Sequence, residues 1–225
     1  MRNGILLDAE TVVTIDNAGC LGEKELDAVQ APNAIVAAFT LRVSILEQWC
    51  AGAIPVHIFM ANFTGDSAWD DYVQGFQSVF DEIGETMPPV VGSTESNFTA
   101  LQSGLSVTVI GKKQFAVSHD NVAYFIIGEP LVGQQVLENP NRVAKLGEIY
   151  TCLCEGLIKA IWPCGSKGLQ HEVERFVGNW NHTFPLDGAT SAGPSAAVLV
   201  AVDQMKIDEF KRCISSTITP IVKAK

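Results

Sequence analysis

Apolar and polar positions alternate along the chain in short blocks, and the blocks predict elements. "ILLDAETVVTID", Ile5 to Asp16, reads as a hairpin: two apolar runs around an Asp-Ala-Glu turn. The polar string "NAGCLGEKELDAVQAP" has no such period and reads as a loop. Pro32 then opens a long helix, "PNAIVAAFTLRVSILEQWCAG". Its apolar residues recur at three and four, and Gly52 ends it. "IPVHIFMANF" reads as a buried strand. "SAWDDYVQGFQSVFDEIG" reads as an amphipathic helix with Ser67 as its N-cap. "PPVVG" is a strand that stops at Gly92, "STESNF" a polar turn, and "GLSVTVIG" the strand that resumes.

A boundary is expected near Asp120, dividing the chain into residues 1–119 and 120–225. Beyond it, "NVAYFIIGEPLVGQQVL" starts a new strand and leaves it through Gly and Pro. "VAKLGEIYTCLCEGL" is a helix, "IKAIWP" a strand, and "GSKGLQHEVERFVGNW" a glycine turn that becomes a helix. "SAAVLVAVD", "KIDEFKRCISS" and "ITPIVKA" follow as strand, helix and strand. Strands and helices alternate without a strict βαβ order, so the expected class is α+β with two layers in each half.

Composition narrows the function classes. A chain of 225 residues with 47% hydrophobic content can bury a sizeable core. The formal net charge is −10, and no basic stripe interrupts it. Nucleic acid and anionic membrane surfaces, which demand clustered Lys and Arg, are therefore not expected partners. The six cysteines contain no C-x-x-C pair and no histidine stands at zinc spacing from them, which predicts reduced thiols. The opening "MRNGILLDAETVVTID" is polar and acidic too early for a signal peptide. The most apolar stretch, residues 34–63, carries Arg42, Glu47, Pro55 and His57 and is not expected to span a membrane. Together these features predict a cytoplasmic protein.

Three carboxylates stand where chemistry is conceivable. Asp16 ends a strand before a glycine-containing loop, a layout that suits a metal or phosphate site and equally an Asx turn. Glu47 sits on the long helix among Ile45, Leu46 and Trp49. Facing inward it would need a cation or hydrogen bonds; facing outward it would be solvated. Glu95 lies in the polar turn among Ser93, Thr94 and Ser96, as a ligand or as turn filler. Further on, Gly165, Ser166, Lys167 and Gly168 fall at a strand-to-helix junction, where free N–H groups and the helix dipole favour an anion. "TSAGPS", with Ser191 and Gly193, is a second small-residue turn.

In order, the strings TID, ILEQWCAGAIP, VVGSTESNF, LSVTVIG, GEPLVG, PCGSKGLQHEVERF and TSAGPSAAVLVAVD resemble the aminoimidazole ribonucleotide synthase-like (PurM-like) superfamily over nearly the whole chain. The likeness is greatest to its α-ribazole kinase, or α-ribazole 5′-phosphate synthase, branch. The resemblance implies an N-terminal α+β domain that dimerises through its sheet, with a short C-terminal α+β domain beside it. It implies binding of ATP with Mg²⁺ and phosphorylation of a small nucleoside, α-ribazole, in cobalamin lower-ligand salvage. Asp16, Glu47 and Glu95 then match metal ligands, with Thr94 as the neighbouring alternative to Glu95. Gly165 to Gly168, with Ser191 and Gly193, match phosphate- or ligand-binding turns. The chain departs from the pattern at Arg2 and Asn3, which stand where kinase relatives carry two aspartates. That departure implies, as the alternative, a dimer that binds a nucleotide or related ligand without turning it over.

Overall fold

The computed structural model describes residues 2–178 and 181–224. The chain divides into two compact units, Met1–Phe115 and Ala116–Lys225. Each is an antiparallel-rich sheet with helices, the α+β class the alternating pattern predicts.

In the first unit the Asp-Ala-Glu turn joins β1 (Ile5–Leu6) to β2 (Thr11–Gly19). The Asp8 carboxylate makes that turn by accepting the Glu10 N–H at 2.8 Å and the Thr11 N–H at 2.7 Å. The register is Ile5 opposite Val13 and Leu6 opposite Val12. Strand β2 runs three residues past Asp16, into the expected loop, because β7 (Gly104–Lys113) continues to pair with it as far as Gly19 opposite Gly104. Two short strands, β3 (Leu21–Gly22) and β4 (Val29–Gln30), pair in parallel within that loop. Helix α1 (Asn33–Cys50) follows Pro32, and Gly52, at φ 78°, closes it. It packs against β2, β5 and β7 and against α2, so from Thr40 onward every residue is buried.

Strand β5 (Ala53–Asn62) alternates rather than being buried throughout. Ile58 and Met60 face α1, whereas His57 and Phe59 face outward. Helix α2 (Trp69–Ile83) is preceded by a 3₁₀ turn, Asp66–Ala68. Ser67 lies inside that turn and makes no capping hydrogen bond, so it does not act as the N-cap. The strand predicted to stop at Gly92 continues as β6 (Val90–Thr94), because β5 offers a parallel ladder up to Asn62 opposite Thr94. Gly92 lies against that ladder: a Cβ there would sit 2.3 Å from the Met60 carbonyl oxygen. The sheet order is β1-β2-β7-β5-β6.

The second unit has the sheet order β10-β12-β8-β11-β9, antiparallel throughout. Its strands are β8 (Val122–Ile127), β9 (Ile158–Pro163), β10 (His182–Thr183), β11 (Val198–Asp203) and β12 (Ile218–Lys223). Its helices are α3 (Gln134–Glu138), α4 (Leu146–Cys154), α5 (Leu169–Val177) and α6 (Ile207–Cys213). Strand β11 is paired on both sides, by β8 and β9, and buried almost throughout, hence its unbroken apolar run. Strand β8 ends at Ile127, and the end of the string that leaves it forms short α3 instead, while β10 lies in a segment the periodicity leaves unassigned. Asn179 and Trp180, which end the string predicted for α5, lie outside the described residues.

Candidate functional site

The acidic pair of the first unit is built by the packing of β2 on α1. Thr14 and Asp16 share the inward face of β2, two residues apart. Thr14 Oγ1 donates to the Ser44 carbonyl at 3.0 Å and accepts from Gln48 Nε2 at 3.1 Å. Gln48 Nε2 also reaches the Val109 carbonyl at 2.9 Å, tying α1 to both central strands. This network holds Glu47, next to Gln48, on the Asp16 side of the helix. Glu47 is fully buried, which excludes the solvated back face.

Both Glu47 carboxylate oxygens are engaged. Oε1 forms an ion pair with Arg2 Nη1, and Oε2 accepts the Asn3 backbone N–H at 3.1 Å. The Arg2 side chain is itself 11% exposed and that of Glu47 1%. Burial pushes the Asp16 carboxyl up to about 7; the Glu47 carboxylate adds to the rise, while the Asn17 N–H and the Arg2 guanidinium oppose it. Asp16, Glu47 and Arg2 thus form one electrostatic group. Arg2 and Asn3 were legible only as a departure from the family pattern. Their signal was a basic side chain in the place of carboxylates.

Glu95 lies elsewhere in the sheet. One row of register partners runs Asp16–Val107–Met60–Gly92 across β2, β7, β5 and β6. Three strand spacings separate Asp16 from Gly92, about 14 Å, and Glu95 lies beyond Gly92 along β6. Glu95 extends the ladder by donating its N–H to the Asn62 carbonyl at 2.8 Å, and its side chain accepts the Asn97 N–H at 2.8 Å. Thr94 Oγ1 accepts from Asn62 Nδ2 at 3.2 Å. Carboxylates sharing one Mg²⁺ stand within about 4 Å of each other. A single ion held jointly by Asp16, Glu47 and Glu95 therefore does not fit this chain. Among the described residues, no three His, Cys, Asp or Glu side chains converge as a metal-binding group.

In the second unit the two small-residue turns meet: the Ala192 N–H donates to the Gly165 carbonyl at 3.2 Å. Gly168 has φ 84°, and a Cβ on it would lie 2.7 Å from the Gly188 carbonyl oxygen, so this glycine serves a close backbone approach. The Gln170 N–H at the start of α5 is taken by the Gly188 carbonyl at 2.9 Å. Ser166 and Lys167 are exposed. Gly193 N donates to Ser191 Oγ at 3.3 Å. Buried Glu172, in the first turn of α5, accepts Trp162 Nε1 at 2.8 Å and puts a carboxyl group where an anion would gain from the dipole. What is left for an anion is the exposed tip, Ser166–Lys167.

Neither a protein-family profile nor a curated protein matches the sequence. Solved structures do match by shape. The HypE–HypF complex aligns over 98% of this chain and 87% of that one, with a TM-score of 0.66 at 13% identity. Thiamine-monophosphate kinase from Stenotrophomonas maltophilia K279a aligns over 100% and 90%, at 0.60 and 14%. T. maritima PurL complexed with AMPPCP aligns over 98% of this chain and 42% of that one, at 0.57 and 16%. The fold is PurM-like. At these identities the likeness is one of fold, and a PurM-like fold leaves the chemistry to the residues on it. No helix among the described residues is long and apolar enough to cross a membrane.

Proposed function

We propose that the protein is an ATP-dependent phosphotransferase that uses an alcohol group as acceptor, with α-ribazole as substrate and α-ribazole 5′-phosphate as product in cobalamin salvage. It acts in the cytoplasm as a homodimer. The observation that carries this reading is coverage: its likeness to nucleotide-bound PurM-like structures extends through both units. T. maritima PurL was solved with AMPPCP and with ATP, and AaThiL with AMPPCP and TMP. Phosphoryl transfer asks mainly for positioning and charge neutralisation. In this reading Asp16 and Glu95 are separate carboxylates open to the Mg²⁺ that accompanies ATP, and Lys167, with the Gly165–Gly168 turn, meets a phosphate.

A second reading, a dimer that binds a nucleotide without turning it over, is favoured by the guanidinium on Glu47. One experiment separates the two: ATP binding by calorimetry beside ADP release with α-ribazole and a panel of nucleosides. ADP formed with α-ribazole supports the kinase. ATP binding without ADP supports the second reading, and no ATP binding overturns both. Asp16→Asn and Glu95→Gln are expected to weaken Mg²⁺–ATP binding several-fold to ~100-fold, with little loss of melting temperature. Unchanged isotherms for both variants would remove these carboxylates from the site.

A further inference from the structure

We propose that Arg2 is the resident cation of Glu47, and that Glu47 takes no divalent metal in this protein. A buried carboxylate needs a positive partner. Here the chain supplies that partner itself, together with a backbone N–H on the second oxygen. A divalent ion at Glu47 would have to displace both donors and sit beside a guanidinium charge that cannot be lost by deprotonation. Glu95, across the sheet just past β6, adds no ligand there.

The arrangement is more than an isolated ion pair, because Asp16, on β2, feels the charge of both the Glu47 carboxylate and the Arg2 guanidinium. Arg2 partly offsets the repulsion between Asp16 and Glu47. It does so permanently and without dependence on metal concentration. Removing the guanidinium should therefore turn the carboxylate pair into a cation site. The inference rests on Arg2, Glu47 and Asp16 alone and stands whether or not the protein binds ATP.

The test uses Mn²⁺ alone, without nucleotide. Binding is followed by electron paramagnetic resonance, and paramagnetic broadening by amide NMR. In the wild-type protein, Mn²⁺ is expected to leave the Glu47 and Gln48 amide signals sharp. In Arg2→Ala, Mn²⁺ should bind on the order of 10–100-fold more tightly than in the wild type and raise the melting temperature, with both gains lost in the Arg2→Ala/Glu47→Gln double variant. Selective broadening of Glu47 in the wild type would overturn the proposal. So would a folded Arg2→Ala protein that gains no Mn²⁺. If Arg2→Ala does not fold, the wild-type spectrum still decides the claim about Glu47.

Discussion

Asp16 carries a pH signature that follows from its surroundings. Its carboxyl is raised to about 7 in the folded protein, chiefly by burial, whereas an unfolded aspartate titrates near 3.9. Between those values the folded state holds the proton that the unfolded state has lost. The contribution of Asp16 to stability is therefore complete below about pH 4 and declines as pH rises toward 7. Asp16→Asn should flatten the stability–pH curve across that window and raise stability above it by roughly 1–2 kcal/mol, the partial exposure of the side chain limiting the gain. Urea melts at pH 4.5 and 8 measure this. A steeper curve in the variant would mean that another group governs the window. Lys167 offers a second residue-level test. If the proposed function holds, Lys167→Ala should weaken binding of α-ribazole 5′-phosphate by about 1–2 kcal/mol and leave free α-ribazole unaffected, because only the phosphate needs the charge. Paired titrations decide it: equal losses for both ligands would take Lys167 out of the site.

At the scale of elements, the junction between β9 and α5 depends on backbone proximity rather than on side-chain chemistry. Gly168 combines a positive φ with a carbonyl oxygen 2.7 Å from where a Cβ would lie. Gly168→Ala is expected to cost roughly 2–4 kcal/mol, since strain and overlap add. Thermal denaturation would report it, and a loss below about 0.5 kcal/mol would show that the turn adapts. Periodicity located α1, α2 and β7 because their apolar faces repeat over many residues. It stopped β6 at Gly92, as glycine usually signals a break. A parallel partner overrode that signal, and no property of "VVGST" announces such a neighbour. Ser67 has the composition of an N-cap but sits within a 3₁₀ turn, so its hydroxyl gains nothing from the helix end.

At the scale of the whole molecule, one sheet face of the first unit carries exposed apolar side chains among the described residues. Ile15, Phe59 and Val91 lie in a single register row on that face, at 57%, 41% and 57% exposure. An apolar sheet face normally needs a second layer, and a second copy of the chain would supply one. Phe59→Asp should convert a dimer to a monomer in sedimentation at micromolar concentration while leaving the melting profile of the monomer two-state. A wild-type protein that sediments as a monomer would remove the dimer and this explanation of the face.

The sequence by itself determined the α+β class, the long helix ended by Gly52 and the candidate acidic and glycine positions. Each depends on local pattern, on residue type or on the order of short motifs. Tertiary structure alone decided how those positions combine. Glu47 could be read as solvated or buried until α1 was enclosed between the sheet and α2. Glu95 could be read as a partner of Asp16 until the strand order placed two strands between β2 and β6. Arg2 had no role until the chain folded its guanidinium onto a carboxylate 45 residues away. Periodicity fixes which face a residue occupies but not which distant residue meets it there. That meeting is set by strand order and helix packing, which no local pattern encodes.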